Sequence, residues 1–508
     1  MIDPIAQYQH RVKESNGRMC GAVRSLLSHP EFVSVFSYQG ISLWDVLVGS
    51  YAPQIIFPDL LEIPETAAPA EVSVASKQNR LNVLVQRLLR GVSLPKQKLG
   101  LTLKERKVLC LGFEARQSAI FRPALRPDSA QKVSPILVTS AFSKTQPDLA
   151  FEAEDCGIIR IEKCVSSVEI LRLLFAVARL SRTLQRLKKA IPARSDEGGM
   201  LARFTRDAPM AMFYTACAQA LLSSQAKPAS VIGADNSDLR ARALFLVAAQ
   251  RGVPTFHMTY AAFSADCWEE KYLCTGSKLV FSESQKQDIL SCFDLPAEKI
   301  VPIGSTRPRA AELQPRTGES DGTPPRPLTF LLGSQPARKA AHGYNPLDLR
   351  TKLSCLQLFA EALASSSHAG EKVFWKSHPD ESQDEAEQGI ALLRKAGLTV
   401  EVIPALSPDF LRSVSVHVTF FSNLALDCLC YGIPSVFLLP VAHVPYFKRA
   451  TEHGIACELR KETFEQDLQR ILASSPAIRG YLEREIGNSD RRALDRLWQL
   501  AVAAGGSS

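Results

Sequence analysis

Two side chains that can bind phosphates follow a short apolar run in the second half of the chain. The run at 373–375 predicts a buried strand, and it is ended by the sequence Lys376-Ser377-His378-Pro379. An ammonium and an imidazole would then lie at the carboxyl end of a strand, where open α/β sheets bind their ligands. We therefore predict that Lys376 contacts a phosphate and that His378 is catalytic, stabilising charge on a leaving group. The plainer alternative is a strand end followed by a polar loop.

A serine and an asparagine occupy a similar place further along the chain. Ser422 and Asn423 follow a predicted strand at 416–421 and precede a predicted helix that begins at Leu424. The N–H groups at the start of a helix bind anions, so these residues predict a second contact to a nucleotide's phosphate. In that helix, Asp427 could hold a ribose hydroxyl. The alternatives are structural: Ser422 or Asn423 only caps the helix, and Asp427 only complements its dipole.

Two carboxylates follow a predicted strand in the first half of the chain. Asp235 and Asp238 come after an apolar run at 230–233 and before a predicted helix at 239–251. A carboxylate at a strand end can act as the general base that takes a proton from a hydroxyl group. We predict that Asp235 has this catalytic role, with Asp238 as the second candidate. The alternative is that this segment only caps the helix.

Five further residues are candidates at other strand ends. His257 ends a predicted strand and could act as an acid or base, although a single histidine in an apolar strand is often structural. Arg307 and Arg309 could bind a phosphate or carboxylate in bidentate fashion, or they could belong to a polar hinge. Gly333 and Ser334 follow the first predicted strand of the second half, where small residues let the backbone approach a ligand. We predict that these two help to bind the nucleotide.

Parallel strands connected by helices would bring these strand ends together. Predicted strands and helices alternate through both halves of the chain, which is typical of parallel, doubly wound sheets. The segment between the two series is rich in Pro, Gly, Ser and charged residues and has no apolar periodicity. We predict an α/β fold of two Rossmann-like domains with a cleft between them. The predicted regions are 1–105 (helical and loop-rich), 106–309, a linker at 310–327, 328–460, and 461–508 with helices at 464–473 and 478–503.

Composition predicts a globular protein with sizeable cores. The 508 residues are 46% hydrophobic and 22% charged, and no apolar run reaches the roughly 18 residues that span a bilayer. The N-terminal segment lacks the apolar region of a secretory signal. The 12 cysteines show no CxxC spacing, and this cysteine usage favours a reducing cytoplasm. Neither GxGxxG, the P-loop pattern, HExxH nor GxSxG with its partners occurs, which argues against dehydrogenases, P-loop enzymes, zincins and α/β-hydrolases.

The distribution of charge indicates one segment that could contact a membrane surface. The net charge is +8, and basic residues cluster between 77 and 107 among leucines at near-helical spacing. Such a helix can lie on an anionic membrane, although a solvated helix face is the simpler interpretation. Aromatic residues make up 7% of the chain and are not interleaved with this charge, so nucleic acid is not a predicted partner.

The second half of the chain resembles the C-terminal domain of bacterial surface-polysaccharide glycosyltransferases of the two-Rossmann (GT-B) type. This group includes capsule Kdo transferases, polysialyltransferases and CDP-glycerol glycerophosphotransferases. Three segments carry the resemblance, namely 376–379, 419–423 and 427–436. Segments 243–255 and 299–309 are similar to parts of the acceptor domain of the same family.

The resemblance implies a glycosyltransferase whose 328–460 domain binds a nucleotide sugar and whose 106–309 domain binds the acceptor. It favours a CMP-linked donor such as CMP-Kdo or CMP-sialic acid, and it leaves UDP- and GDP-sugars open. The implied acceptor is a glycan, lipid-linked at the inner face of the plasma membrane. Because Lys376, His378 and helix N–H groups can carry the phosphate charge, we expect neither a metal nor another cofactor.

One departure from the family pattern keeps other functions open. Relatives often have Gln-His-Gly after the strand that matches 253–258, whereas this chain has Thr259-Tyr260-Ala261. An enzyme resembling nucleotide-sugar 2-epimerases on the same fold is one alternative. A non-catalytic scaffold of this fold in polysaccharide export is the other.

Overall fold

Two parallel β-sheets, each covered by helices, form the body of the protein. The computed structural model describes residues 4–55, 106–114, 117, 121, 133–142, 157–193, 195–223, 227–264, 268–306, 327–337, 347–487 and 491–503. We call the first sheet with its helices the first lobe, and the second sheet with its helices the second lobe.

Helices and a small hairpin precede the first sheet. They are α1 (Pro4–Leu27), α2 (Pro30–Val33), β1 (Ser37–Tyr38), β2 (Ile41–Ser42) and α3 (Leu43–Ile55). Strands β1 and β2 pair antiparallel. Leu26 of α1 and Val46 of α3 are buried in the same core as the helices of the first lobe. The buried Arg242 guanidinium also donates to the Asp45 carbonyl oxygen at 2.8 Å, which fixes α3 to that lobe.

Among the described residues, the first sheet has seven parallel strands in the order β5-β4-β3-β6-β7-β8-β9. Its strands are β3 (Arg106–Leu111), β4 (Val133–Thr139), β5 (Gly157–Arg160), β6 (Ser230–Gly233), β7 (Thr255–Met258), β8 (Ser277–Val280) and β9 (Ile300–Pro302). Its helices are α4 (Ser167–Ala190), α5 (Asp196–Leu222), α6 (Leu239–Gln250) and α7 (Glu283–Cys292). The chain winds outward from β3 to β5, returns to the centre and continues from β6, which is the doubly wound order.

The second sheet repeats this winding with six described parallel strands in the order β12-β11-β10-β13-β14-β15. Its strands are β10 (Thr329–Gly333), β11 (Lys372–Lys376), β12 (Thr399–Val402), β13 (Val416–Thr419), β14 (Ser435–Phe437) and β15 (Ala456–Glu458). Its helices are α8 (Leu349–Ala364), α9 (Gln383–Lys395), α10 (Pro408–Ser413), α11 (Leu424–Cys430), α12 (Pro445–Glu452) and α13 (Phe464–Ala473). The predicted fold class, two Rossmann-like doubly wound sheets, is confirmed.

Burial of both faces of the sheets explains the near-continuous apolar runs in the sequence. In β10, Leu332 packs in one core with Leu356 of α8, while Leu331 packs in another core with Cys428 of α11. A strand that is covered on both sides needs apolar side chains at successive positions rather than at every second one. The strands were therefore predictable as short apolar runs.

The C-terminal segment does not form the single helix predicted for 478–503. It forms α14 (Ser475–Glu485) and α15 (Arg491–Ala503), and Gly487 between them has φ of +65°. A Cβ at Gly487 would lie 2.8 Å from the Phe281 carbonyl oxygen, so only glycine fits this turn. Ile478 of α14 packs in the second lobe, whereas Trp498 of α15 packs against the first sheet. The chain thus crosses back to the first lobe.

The longest of the described helices, α5, is missing from the sequence predictions. It has 27 residues and is buried on nearly all sides, with Met200, Phe204, Met212 and Cys217 among its buried positions. Periodicity reveals a helix through a single apolar stripe, and a helix that is buried all round has none.

Candidate functional site

The carboxyl ends of three neighbouring strands form the central edge of the second sheet. Gly333, the last residue of β10, pairs with Lys376 of β11 on one side and with Thr419 of β13 on the other. Thr419 Oγ1 donates a hydrogen bond to the Gly333 carbonyl oxygen at 3.0 Å. The winding direction changes between β10 and β13, and open α/β sheets bind ligands in the crevice at such a point. The ends of β11 and β13 are about 10 Å apart, given the usual strand spacing.

The loop after β11 carries Lys376 and His378. The Lys376 ammonium donates to the Ser377 carbonyl oxygen, and the Trp375 indole donates to Ser377 Oγ, both at 3.0 Å. His378 Nδ1 accepts a hydrogen bond from the Asp380 backbone N at 3.1 Å, so the proton of the neutral ring is on Nε2. The His378 side chain is 37% exposed, so a ligand can reach the imidazole.

A buried ion pair connects the loop after β11 to the core of the second lobe. Glu381 pairs with the Lys352 ammonium of α8, and both side chains are 0% exposed. The Glu381 carboxylate also accepts hydrogen bonds from Ser334 Oγ at 2.6 Å and from the His378 backbone N at 3.3 Å. The pair therefore connects the loops that follow β10 and β11 to the core of the lobe.

Lys352 and Glu381 are absent from the sequence predictions, although a signal for the lysine exists. Lys352 lies on the buried stripe of α8 that also contains Leu356 and Phe359. Placing a charge among apolar side chains costs several kcal/mol unless it is paired, so a lysine on such a stripe predicts a carboxylate partner. The identity of that partner does not follow from the sequence pattern.

Gly333 is closely enclosed, so that a larger side chain would require its neighbours to move. A Cβ at this position would lie 3.0 Å from both His417 Nε2 and Leu424 Cδ2. His417 is fully buried, with Nδ1 3.2 Å from Ser435 Oγ, and its Nε2 finds no hydrogen-bond partner in the described part of the chain. Burial lowers the pKa of His417 to about 3, so the ring is neutral in the folded protein at ordinary pH. The sequence predictions do not include His417.

Ser422 and Asn423 both lie at the start of α11, but they bond in different directions. Ser422 Oγ accepts a hydrogen bond from the Leu424 backbone N at 3.2 Å. Asn423 makes no side-chain cap, and its Oδ1 instead accepts from the Ala262 backbone N of the first lobe at 3.0 Å. The capping alternative therefore applies to Ser422 and not to Asn423. Asp427 lies half-buried in the first turn of the same helix.

The Ala262–Asn423 hydrogen bond joins the carboxyl edges of the two sheets. Ala262 belongs to the loop after β7, which also contains residues 259–261, where the glycosyltransferases that the sequence resembles often have Gln-His-Gly. Ser264 Oγ of this loop donates to the His443 carbonyl oxygen of the second lobe at 3.4 Å. The two edges that carry the predicted residues therefore face each other.

Asp235 and Asp238 lie at the carboxyl end of β6 and are both engaged within the first lobe. Asp235 Oδ1 accepts from the Ser237 backbone N at 2.8 Å, from Ser237 Oγ at 2.7 Å and from the Asp238 backbone N at 3.0 Å. Its Oδ2 accepts from Gln117 Nε2 at 3.1 Å. Asp238 caps α6 and pairs with the Arg240 guanidinium at 2.5 Å. The catalytic role of Asp235 stays a prediction.

His257 belongs to a charged cluster inside the first lobe. Its side chain is 6% exposed, its Nδ1 lies 3.2 Å from the Lys278 ammonium, and that ammonium lies 2.5 Å from Glu270 Oε1. Burial and the Lys278 charge lower the pKa of His257 well below its ordinary value. An acid–base role for His257 in the cleft stays a prediction, and its burial favours the structural alternative.

Other predicted features fall outside the described residues. These are Arg307, Arg309, the basic segment up to residue 105 and nearly all of the linker. Within the described part of the chain, no group of three or more His, Cys, Asp or Glu side chains could hold a metal ion. None of the helices described is long and apolar enough to cross a membrane. The cysteines described are all free thiols.

No family model matches the chain, and no curated protein matches it. Among solved structures, the chain is similar to UDP-GlcNAc 2-epimerase from Neisseria meningitidis bound to UDP-GlcNAc, at 11% identity over 78% of this chain and 99% of that one, with a TM-score of 0.47. It is also similar to the lipopolysaccharide outer core galactosyltransferase WaaB, at 16% identity over 78% of this chain and 99% of that one, with a TM-score of 0.43. A third similar structure is MurG from Acinetobacter baumannii, at 14% identity over 78% of this chain and 99% of that one, with a TM-score of 0.41. Because these TM-scores are below 0.5, the fold assignment rests on the strand order of this chain itself.

Proposed function

We propose that this chain is a glycosyltransferase that moves a sugar from a nucleotide donor to a hydroxyl group of a glycan acceptor. The observation that carries the proposal is the hydrogen bond between Ala262 and Asn423, which holds the carboxyl edges of two doubly wound sheets face to face. One edge carries an ammonium and an imidazole, and the other carries carboxylates. A donor bound at the first of these edges would present its sugar to an acceptor bound at the other.

In this proposal the phosphate of the donor binds at the ends of β10, β11 and β13. Lys376 supplies positive charge, and His378 donates from Nε2 to the phosphate oxygen that gains charge as the glycosidic bond breaks. Gly333 and Ser334 let the backbone approach the ligand, and Ser422 adds a hydroxyl contact. These groups carry the phosphate charge, so the proposed reaction uses no metal ion.

We further propose that the donor is CMP-linked and that Asp427 binds a ribose hydroxyl. The support for cytidine is the resemblance of segment 376–379 to a motif of the polysaccharide transferases. The proposed acceptor is a lipid-linked bacterial surface polysaccharide, which would bring the protein to the inner face of the plasma membrane. UDP- and GDP-sugars are the competing donors in the experiments that test this choice.

On the acceptor side, Asp235 is the proposed general base. Its carboxylate accepts hydrogen bonds from Ser237, Asp238 and Gln117, so an acceptor hydroxyl must displace one of these donors before its proton can move. This engagement favours a second candidate function, a conversion of the nucleotide sugar itself like that of the 2-epimerases, because such a reaction needs no acceptor base.

Nucleotide binding tests the donor site. We expect CMP to raise the melting temperature of the wild type by mass action, and His378→Ala to reduce that shift. His368→Ala is the matched control, because His368 precedes β11 at the opposite end of the same strand. No response to CMP, CDP, UDP or GDP, or an equal loss in both variants, would contradict the donor site.

Product analysis separates the candidate functions once a binding nucleotide is known. A transferase releases the free nucleotide and a glycoside or free sugar, whereas an epimerase returns an isomeric nucleotide sugar. We expect Asp235→Asn to abolish transfer while nucleotide binding persists. Binding without any product would favour the non-catalytic scaffold.

A further inference from the structure

Helix α4 exposes an apolar patch that is not part of the core of the first lobe. Val168 is 59% exposed, Leu171 55%, Leu174 43% and Phe175 71%. The opposite side of the helix is already buried in the core of the first lobe, and it includes Leu173, Val177, Leu180 and Leu184. Core packing therefore accounts for the inward stripe of α4 and leaves the outward one unexplained.

The outward stripe of α4 changes from apolar to basic along the helix. Val168, Leu171 and Phe175 are followed, in steps of three or four residues, by Arg179, Arg182, Arg186 and Lys189, which places all seven on one face. These four basic side chains are exposed, and none has an ion pair or side-chain hydrogen bond within the part of the chain that the structure describes. The stripe thus presents an apolar end and a row of cations that no described residue pairs with.

The apolar end of α4 lies at the edge of the lobe that faces the cleft. Helix α4 follows β5 after a single 3₁₀ turn (Ile161–Cys164), so its first residues stand at the carboxyl edge of the first sheet. Asp235 lies in the loop after β6 at the same edge. The basic turns run away from that edge along the flank of the lobe.

We propose that the outward face of α4 binds an anionic membrane surface. The apolar side chains of the first turns enter the interface between headgroups and acyl chains, and the arginines bind lipid phosphates. A second copy of the chain fits this face poorly: an antiparallel pairing would set apolar turns against arginines, and a parallel pairing would set arginines against arginines. An anionic lipid surface complements both parts at once.

This surface would hold the protein at the membrane for the proposed transfer to a lipid-linked acceptor. Vesicle binding is measured without any donor or acceptor substrate. Failure of one proposal is therefore distinguishable from failure of the other. A protein held by this face would have its cleft edge beside the headgroups. That placement suits an acceptor whose lipid stays in the bilayer.

Vesicle sedimentation of the full chain tests the basic part of the surface. We expect binding to vesicles of phosphatidylcholine with phosphatidylglycerol and not to phosphatidylcholine alone. The triple variant Arg179→Gln, Arg182→Gln, Arg186→Gln should lose about fivefold in affinity for each arginine removed. The matched control is Lys299→Gln, Lys395→Gln, Arg479→Gln, which removes the same charge from exposed sites elsewhere and should bind nearly as the wild type does.

A second variant tests the apolar part. Leu171→Ser with Phe175→Ser should weaken binding at high salt, while Val402→Ser, at a residue 51% exposed in the second lobe, should not. In Phe175→Trp, vesicles should shift the tryptophan emission to shorter wavelength. The proposal is overturned if wild type ignores anionic vesicles, if both triple variants lose equally, or if light scattering shows a dimer that Leu171→Ser with Phe175→Ser dissociates.

Discussion

Ser334 Oγ donates a hydrogen bond of 2.6 Å to the buried Glu381 carboxylate, and this contact ties together the ends of two neighbouring strands. Glu381 is also paired with Lys352 of α8 and accepts from the His378 backbone N at 3.3 Å. A fully satisfied buried network of this kind is rigid. The loop that carries His378 is therefore held by the core of the lobe, although the imidazole itself is accessible.

The first prediction concerns Glu381→Gln. The variant removes the nearer of the two carboxylates that pair with the buried Lys352 ammonium and leaves only Glu385, at 3.5 Å. We therefore expect the free energy of unfolding to fall by about 3 kcal/mol, the lower end of the cost of breaking a buried ion pair. Nucleotide affinity should fall as well, because the loop of His378 loses its support. Chemical denaturation and titration calorimetry with the nucleotide that binds the wild type measure the two effects.

A double variant and an exposed pair serve as controls for that result. Lys352→Met combined with Glu381→Gln should recover much of the lost stability, because the fully buried ammonium is gone and the Glu385 carboxylate that it leaves is 13% exposed. Glu361→Gln, which breaks the exposed pair with Lys461, should change the stability little. If Glu381→Gln is as stable as the wild type, the ion pair does not support the loop.

The second prediction concerns Gly333→Ala. The added methyl group would lie 3.0 Å from His417 Nε2 and Leu424 Cδ2, so we expect a loss of about 1–3 kcal/mol from overpacking and a weaker nucleotide response. Gly480→Ala is the control, since a Cβ in that helix meets nothing within 4 Å. Equal melting temperatures for Gly333→Ala and the wild type would show that the edge has room to adjust.

The third prediction concerns the pH dependence of stability. The pKa of His417 is about 3 in the folded protein against 6.5 ordinarily, so below pH 6.5 the unfolded chain gains a proton that the folded chain does not. Stability is thus lost as the pH falls through this window, by about 2 kcal/mol between pH 8 and pH 5 for this group. The lowered pKa of His257 acts in the same direction.

Denaturation of the wild type and of His417→Gln at pH 8 and pH 5 measures this contribution. The difference between the two pH values should be smaller in the variant by about 2 kcal/mol, whatever its absolute stability. An unchanged difference would mean that His417 is protonated in the folded protein.

The fourth prediction concerns the contact between the lobes. The Arg449 guanidinium donates two hydrogen bonds of 2.8 Å to Asp288 of the first lobe and two, of 2.7 and 2.9 Å, to Glu485. Asp288→Asn should destabilise the protein by about 1.5 kcal/mol and loosen the lobes, seen as a larger radius of gyration in small-angle scattering. Asp409→Asn, in an exposed pair with Arg412, should have neither effect.

Local patterns in the sequence were sufficient to predict the fold class and the position of most strands. Apolar runs such as 373–375 identify buried strands, because a strand covered on both faces needs apolar neighbours at successive positions. The same runs show where strands end, so Lys376 and His378 were recognisable as residues at a strand's carboxyl end. Helix α5 escaped prediction because it is buried on nearly all sides.

Only the tertiary structure decided which of these residues meet. The partners Lys352 and Glu381, and likewise Ala262 and Asn423, are far apart in the chain, and their contacts depend on how strands are ordered and how the lobes face each other. The return of α15 to the first sheet likewise depends on contacts between residues that are far apart in the chain. Local residue types determine secondary structure and its amphipathic faces, whereas packing between distant elements selects the contacts, and no short stretch of sequence contains that information.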